Sequence, residues 1–180
     1  MTIFIRLNLL IRPNRSRLLQ FCTEHSFHEK KIEMANVNDD SLRRAMMYCP
    51  GNDLRKIKKA LSSNADCIVL DCEDGVAVNK KKDARETIRN IFKEGNIPTR
   101  PEVCVRVNSV GSGICEDDLI AILTAGNLPK TILLPKVESE EQLIWFNEKL
   151  SKNLPGKSKI NLIMFAESAQ SIMNLQQICQ

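Results

Sequence analysis

The chain has 180 residues, a formal net charge of +4 and a sequence pI near 8.7. It is 43% hydrophobic and 27% charged, which provides enough apolar material for one packed domain and excludes a disordered, collagen-like or coiled-coil protein. No stretch approaches the ~20 apolar residues that a membrane span needs. Aromatic residues make up only 4% of the chain, and no nucleic-acid-binding motif is present. Neither a membrane nor a nucleic acid is therefore an expected partner.

The N-terminal residues 1–23 have the composition of a mitochondrial transit peptide. They contain no Asp or Glu, and arginines stand among apolar residues, at positions Arg6, Arg12, Arg15 and Arg17. We therefore predict a transit peptide over 1–23, a polar linker over 24–42 and a location in the mitochondrial matrix. The alternative is a basic N-terminal arm without a targeting role.

The histidines and cysteines restrict the chemistry that the chain can perform. His25 and His28 lie in the predicted linker, so a mature chain that begins near residue 40 would rely on carboxylate, Lys, Tyr, Cys or water for proton transfer. The 7 cysteines are odd in number and include no C-x-x-C pair, which favours buried thiols in a reducing compartment over a disulfide scaffold. They are Cys22, Cys49, Cys67, Cys72, Cys104, Cys115 and Cys179.

From residue 43 onwards, apolar strand-like segments alternate with helical segments. The predicted strands cover 45–49, 67–71, 103–107, 132–135 and 162–166. The first predicted helix begins after an N-cap at Asp53 and runs to about residue 62, and the others cover 81–93, 117–125, 139–150 and 169–178. Strands this apolar, each followed by a helix, favour a parallel α/β sheet with both faces covered.

Polar side chains recur where the predicted strands end, and this recurrence favours a (β/α)8 TIM barrel. The residues are Tyr48, Asp71, Glu73, Arg106, Asn108, Lys136, Glu138 and Glu167. In a barrel every strand ends at the same mouth, where active sites lie. A doubly wound, flavodoxin-like sheet is the alternative, but no glycine-rich phosphate loop follows the first strand.

Five strand–helix units are fewer than a closed barrel requires. A (β/α)8 barrel has eight units and typically about 250 residues, so residues 43–180 are expected to form the N-terminal part of such a domain. Five units alone would leave an open sheet edge and an exposed apolar interior. The isolated chain is therefore expected to be poorly soluble.

The segment Asp71-Cys-Glu73-Asp74-Gly75 is the first candidate for chemistry. Alternation along a strand places Asp71 and Glu73 on the same side, and carboxylates at the end of an apolar strand are costly unless they are paired or bind a ligand. Arg106 is a natural partner for Asp71 or Glu73 and a natural binder of an oxyanion, although a purely structural ion pair is also compatible. Asp74 with Gly75 is interpreted as ordinary turn chemistry.

Glu167, at the end of the fifth strand, is the candidate metal ligand. A lone carboxylate without neighbouring histidines suits a hard cation such as Mg²⁺, which also needs a second acid or substrate oxygens. The alternative is helix N-capping by Glu167 or Ser168. Lys136 and Glu138 are interpreted as support for the site or as a Lys–Glu pair at the rim.

Basic residues near the predicted mouth suggest a phosphate-bearing ligand, although a solvated surface is the simpler interpretation. Arg55 and Lys59 lie one turn apart on the first helix, and a run of three lysines follows the second strand, Lys80, Lys81 and Lys82.

Five motifs occur in order at the five strand ends: RAMMYCPGND (44–53), LDCEDGVA (70–77), VRVN (105–108), LPKVE (134–138) and FAESA (165–169). Together they resemble the HpcH/HpaI aldolase and citrate lyase beta family over residues 43–180. The resemblance implies a (β/α)8 barrel, commonly trimeric, that binds Mg²⁺ and cleaves citramalyl-CoA, or a malyl-CoA-type thioester, to acetyl-CoA and pyruvate or a related keto acid.

The resemblance also implies a role for each matching residue. Glu167 would bind the metal, Arg106 would hold the substrate oxygen on which enolate charge develops, and Asp71 and Glu73 would orient Arg106. The residues implied in CoA contact are Tyr48, Arg55, Lys59, Asn79, Lys80, Lys81 and Lys82. The family's second metal-binding Asp and its catalytic Asp would lie beyond Gln180. A non-catalytic chain that at most binds acyl-CoA is therefore the alternative.

Overall fold

The computed structural model describes residues 3–9, 43–156 and 158–179. The predicted linker over 24–42 lies outside the described residues. The elements are β1 (Ile3–Leu9), β2 (Met46–Pro50), α1 (Leu54–Leu61), β3 (Cys67–Asp71), α2 (Lys81–Glu94), β4 (Glu102–Arg106), α3 (Cys115–Leu123), β5 (Thr131–Leu134), α4 (Glu140–Asn153), β6 (Ile160–Ala166), α5 (Ala169–Met173) and α6 (Leu175–Ile178).

The strands form one sheet in the order β1-β6-β5-β4-β3-β2. Strands β2 to β6 are parallel and pair in chain order, which is the order of a barrel wall and not the rearranged order of a flavodoxin-like sheet. The predicted α/β architecture is therefore confirmed: the described residues form five of the eight strand–helix units of a (β/α)8 TIM barrel.

Strand β1 is an addition that the sequence did not predict. It pairs with β6 antiparallel, from Ile3 opposite Ala166 to Leu9 opposite Ile160. The edge of β6 is thus covered, and the outer strands of the described sheet are β1 and β2. The strand lies within the segment 1–23 predicted as a transit peptide, whose targeting role stays a prediction.

The two faces of the sheet bury different layers of side chains, because alternate residues of a strand point to opposite sides. Ile68 and Leu70 belong to the larger core, in which helix residues such as Phe92 and Phe146 are also buried. Cys67 and Val69 belong to a second cluster with Cys104, Leu133, Ile163 and Phe165. Asp71 is the next alternate residue of β3 after Cys67 and Val69. Its side chain therefore lies on the same face as that second cluster, the inner face of the partial barrel.

Most helix ends lie close to the predicted positions. Helix α4 covers Glu140–Asn153 and so ends three residues after its predicted end at 150. Helix α3 covers Cys115–Leu123 and so begins two residues before the predicted start. The predicted helix 169–178 is divided at Asn174, whose backbone (φ −95°, ψ 6°) leaves helical geometry and whose side-chain amide donates to the carbonyl oxygen of Glu138 at 2.8 Å. No helix among the described residues is long and apolar enough to cross a membrane.

Candidate active site

Arg106 and two acidic residues form a buried ion cluster at the carboxyl ends of β3 and β4. The guanidinium of Arg106 donates from Nε to Oδ1 of Asp71 at 2.7 Å and from a terminal nitrogen to Oδ2 at 2.6 Å. Its other terminal nitrogen lies 3.1 Å from a Glu73 carboxylate oxygen. Burial lowers the pKa of Arg106, but the hydrogen bonds and charge of Asp71 outweigh it, so the pKa is raised. The predicted pairing of Arg106 with Asp71 or Glu73 is confirmed, and the guanidinium pairs with both acids.

The turn after β3 also holds the Asp71 carboxylate, through backbone donors to the same two oxygens that accept from Arg106. Oδ1 accepts a hydrogen bond from the backbone N–H of Glu73, and Oδ2 accepts one from that of Gly75, both at 2.8 Å. A Cβ atom at Gly75 would lie 2.5 Å from Oδ2 of Asp71, so only glycine allows this approach. A carboxylate with all these donors is held in one orientation.

Lys136 connects this cluster to Glu167. Its ammonium group donates to a Glu73 carboxylate oxygen and, at 2.9 Å, to Oδ1 of Asp74. Those two hydrogen bonds raise the pKa of Lys136 to about 12. The rim pair of Lys136 with Glu138 is not formed, because the strand-end backbone directs the lysine towards the turn after β3. Asp74 is thus more than a turn residue.

Glu167 lies at the end of β6, and its position fits a metal ligand. Its Oε1 accepts the backbone N–H of Lys136 at 3.0 Å, while its side chain is exposed and makes no ion pair with a described residue. An oriented, uncompensated carboxylate is the type of oxygen ligand that Mg²⁺ takes. The N-cap of α5 is Ser168, whose hydroxyl accepts from the N–H of Ser171 at 3.1 Å.

Tyr48, at the end of β2, lies against the ion cluster. The Arg106 guanidinium carbon is 4.9 Å from the centre of the Tyr48 ring, a cation–π arrangement. Burial raises the pKa of Tyr48 to about 12, although the charge of Arg106 acts in the opposite direction. Tyr48 therefore carries a neutral phenol beside the guanidinium.

The other residues predicted to bind CoA divide into two groups. Lys81 donates from Nζ to the backbone carbonyl oxygens of Cys72, at 2.8 Å, and Glu73, at 2.5 Å, and so supports the turn after β3. The remaining residues are exposed: Arg55, Lys59, Asn79, Lys80 and Lys82. Lys80 forms a surface ion pair with Asp83 at 2.8 Å, and Lys82 one with Glu86 at 3.9 Å.

Sequence reasoning missed Asp118, which fixes the loop after β4. The Asp118 side chain is fully buried, and its Oδ2 accepts from the backbone N–H and the side-chain amide of Asn108, at 2.8 and 2.7 Å. Arg85 donates to its Oδ1 at 2.9 Å. In the sequence, an acidic residue on the otherwise apolar face of α3, directly before Leu119, could have indicated a buried carboxylate with a cationic partner.

These residues surround an open cavity of about 500 Å³ beside the ion cluster. Its lining includes Glu73, Lys81, Arg85, Asn108 and Lys136. A cavity with several cationic side chains at the carboxyl ends of parallel strands can receive an anionic ligand.

Comparison with known proteins agrees with this architecture. The pattern of the HpcH/HpaI aldolase/citrate lyase family matches residues 44–180. A human protein named "Citramalyl-CoA lyase, mitochondrial" is 49% identical over 142 residues, which cover 77% of this chain and 41% of the human protein. The chain therefore spans less than half the length of that relative.

Solved structures agree as well. The crystal structure of protein CitE from Mycobacterium tuberculosis in complex with magnesium and acetate has a TM-score of 0.56 and 30% identity, covering 77% of this chain and 51% of CitE. A second CitE structure, in complex with magnesium, acetoacetate and coenzyme A, has a TM-score of 0.55 and 32% identity, covering 76% of this chain and 45% of that one. With its five strand–helix units and its strand-end motifs, the chain belongs to the HpcH/HpaI aldolase/citrate lyase family.

Proposed function

We propose that this chain supplies the first part of the active site of a Mg²⁺-dependent carbon–carbon lyase. The substrate is citramalyl-CoA or a malyl-CoA-type thioester, and the products are acetyl-CoA and pyruvate or a related keto acid. One observation carries the proposal: a buried guanidinium, held on two sides by Asp71 and Glu73, stands at the strand ends of a chain 49% identical to the human citramalyl-CoA lyase.

The chemistry requires a cation where negative charge develops. The substrate hydroxyl loses its proton to a base, the carbon–carbon bond breaks, and the electron pair moves to the thioester carbonyl oxygen as an enolate. Protonation of the enolate carbon then gives acetyl-CoA. Arg106 contacts the two acids through its Nε and both terminal nitrogens, and its two remaining N–H groups would donate to the substrate oxygen. Because Asp71 and Glu73 fix the guanidinium beforehand, little reorganisation is needed as the charge forms.

Glu167 would hold the metal, with further ligands from substrate oxygens or from elsewhere in the protein. When bound, Mg²⁺ polarises the oxygens of the keto-acid part of the substrate. Lys136 holds the Glu167 carboxylate in place through its backbone N–H and neutralises Glu73, so that Glu73 does not compete for the cation.

The exposed basic residues would bind the CoA part of the substrate. The ammonium and guanidinium groups of Arg55, Lys59, Lys80 and Lys82 offer charge to phosphates, and Asn79 lies in the same turn as Lys80. Lys81 acts on the turn after β3, and Tyr48 contacts the substrate from beside Arg106. Such contacts affect binding more than the rate of bond cleavage.

A mitochondrial matrix location and a homotrimer complete the proposal. The basic N-terminal segment and the mitochondrial names of the human and rodent relatives support the location. The trimer rests on the family resemblance alone.

The second candidate function is a non-catalytic chain that binds acyl-CoA at most. The observation that favours it is the cavity lined by Lys81, Arg85 and Lys136, whose cationic side chains can bind an anionic ligand without bond cleavage. On this candidate the purified chain releases no pyruvate from citramalyl-CoA, and Mg²⁺-dependent release would exclude it.

A chimera tests the lyase proposal directly. Residues 43–180 replace the matching segment of the human relative, and pyruvate release from citramalyl-CoA is measured against Mg²⁺ and substrate concentration. We expect activity, a lower kcat for Arg106→Met, a higher Mg²⁺ requirement for Glu167→Gln, and mainly a higher KM for the double variant Arg55→Ala, Lys59→Ala. A folded chimera without activity would contradict the proposal, and equal effects of all three changes would contradict the assigned roles.

A further inference from the structure

A second cluster of ligand-type side chains lies at the opposite ends of the strands from Arg106. The Sγ atoms of Cys67 and Cys104 are 3.2 Å apart, and a carboxylate oxygen of Glu102 completes a group whose three ligand atoms all lie within 4.8 Å of one another. Cys67 begins β3 and Asp71 ends it, roughly 13 Å away, whereas Cys104 precedes Arg106 by two residues of β4, roughly 7 Å. The two sites share no residue. The cluster is therefore distinct from the proposed catalytic site and independent of the function proposed there.

The carboxylate of Glu102 is buried but incompletely satisfied. Its Oε1 accepts from Arg43 at 2.8 Å and from the Thr131 hydroxyl at 2.6 Å. Its Oε2 is buried without a hydrogen bond, although Nε of Arg43 lies 2.8 Å away as an ion pair. This oxygen therefore has an ion-pair partner on one side and retains a lone pair for a further ligand.

We propose that Cys67, Cys104 and Glu102 form a binding site for a thiophilic cation of the Zn²⁺ class, with a water molecule or the Thr131 hydroxyl as the fourth ligand.

The charges of the cluster favour this assignment. Loading releases one proton from each thiol, and the two thiolates and one carboxylate are then balanced by Zn²⁺ together with the guanidinium of Arg43. The buried group is therefore neutral with the metal and neutral without it, since Arg43 and Glu102 balance each other in the second case. Neither state leaves a net charge in the interior.

The distances favour a metal over a disulfide. Tetrahedral zinc with bonds of about 2.3 Å to sulfur separates two thiolates by about 3.8 Å, so the thiols would move apart by about half an ångström. A disulfide of about 2.05 Å would require them to approach by more than 1 Å.

The cluster has a route from solvent. Glu102 lines a cavity of about 470 Å³ beneath the amino ends of β3 and β4, together with Arg44, Asp66, Arg100, Pro101 and Lys130. The thiols themselves are fully buried, whereas Glu102 is 9% exposed. An ion would therefore reach Glu102 first and the thiols after a small local opening.

The test uses the reduced, metal-free 180-residue chain and Cd²⁺ as a spectroscopic substitute for Zn²⁺. Cadmium thiolates give an ultraviolet charge-transfer band, so we expect a band that saturates at one ion per chain, is competed by Zn²⁺ but not by Mg²⁺, and accompanies release of about two protons. Zn²⁺ should also raise Tm, because it binds the folded state.

The variants identify the ligands. Cys67→Ser and Cys104→Ser should each abolish the saturating band, and Glu102→Gln should weaken binding by about tenfold or more. Cys49→Ser and Cys115→Ser are the controls, since each removes a buried thiol outside the cluster, and both should retain the band. An unchanged band in either cluster variant, no saturable band in the wild-type chain, or a disulfide between Cys67 and Cys104 detected by mass spectrometry would each overturn the proposal.

Discussion

The backbone N–H of Lys136 donates to Oε1 of Glu167 at 3.0 Å, and this bond joins the end of β5 to the end of β6. Lys136 has a φ of 54° and is the one non-glycine residue with positive φ among the described residues. The same residue places its ammonium group on Glu73 and Asp74. A left-handed backbone thus lets one lysine hold the candidate metal ligand with its amide and the acid cluster with its side chain.

We expect Lys136→Gly to be more stable than Lys136→Ala by about 1 kcal/mol. Both variants lose the same ammonium contacts, but only glycine adopts positive φ without a steric penalty. Urea unfolding measures the difference. Lys58 on the exposed face of α1 is the control, because a helical position should reverse the order and favour alanine by a similar amount. Equal stability of the two variants at position 136 would show that its backbone is unstrained.

Arg106→Met should destabilise the chain by about 3–5 kcal/mol. The change leaves the buried carboxylate of Asp71 without its counter-charge and leaves Glu73 with Lys136 alone, a cost typical of breaking a buried ion pair. Adding Asp71→Asn to the same chain should recover part of the loss. Urea midpoints at constant m-value provide the measurement, and Arg89→Met on the exposed face of α2 should change stability by no more than about 0.5 kcal/mol.

Asp118→Ala should lower the free energy of unfolding by about 3–5 kcal/mol. The change removes the buried carboxylate that accepts hydrogen bonds from Arg85 and Asn108, and leaves both donors without that partner. Asp117 is the matched control. It is the preceding residue on α3, its side chain is 62% exposed, and it lies 3.4 Å from the same arginine. Asp117→Ala should fall within about 0.5 kcal/mol of the wild type. Similar losses for both variants would contradict the role given to Asp118.

The single tyrosine should ionise about two pH units later in the folded chain than in the unfolded one. The pKa of Tyr48 is raised from 10.0 to about 12, first by burial. Because the folded pKa is the higher one, the contribution to stability is fully present below pH 10 and is lost as the pH rises towards 12. The ultraviolet band of tyrosinate reports on Tyr48 alone, since the chain has 1 tyrosine.

The urea-unfolded chain serves as the reference for that titration. A folded-state midpoint near the unfolded value would mean that the phenol is solvated and does not lie beneath the Arg106 guanidinium. Arg106→Met should move the midpoint higher, because the guanidinium charge lowers the pKa of Tyr48.

Much of the candidate site could be read from strand periodicity. Asp71 and Glu73 follow an apolar strand at a spacing of two residues, and Arg106 stands at the end of the next strand. Parallel neighbours bring such residues to one edge, and Asp71 is indeed opposite Arg106 in the register. This inference needs only local pattern and chain order, which is why it succeeded.

Contacts between distant residues could not be predicted in the same way. Lys136 and Glu73 are 63 positions apart, and Arg85 and Asp118 are 33 apart. Long side chains at strand and helix ends have several partners of opposite charge within reach. The partner that each side chain pairs with depends on how the helices and turns pack together. A local hydrophobic period in the sequence does not specify this packing.

The sequence by itself determined the five strand–helix units, the family and the edge at which Asp71, Glu73, Arg106 and Glu167 gather, because alternation and apolar runs are local properties of the chain. Only the tertiary structure decided that β1 covers β6, that Lys136 joins Glu73 to Glu167, and that two thiols meet Glu102 at the far end of the barrel wall. Each of these depends on which strands become neighbours and in which register, and backbone pairing across the sheet fixes that register.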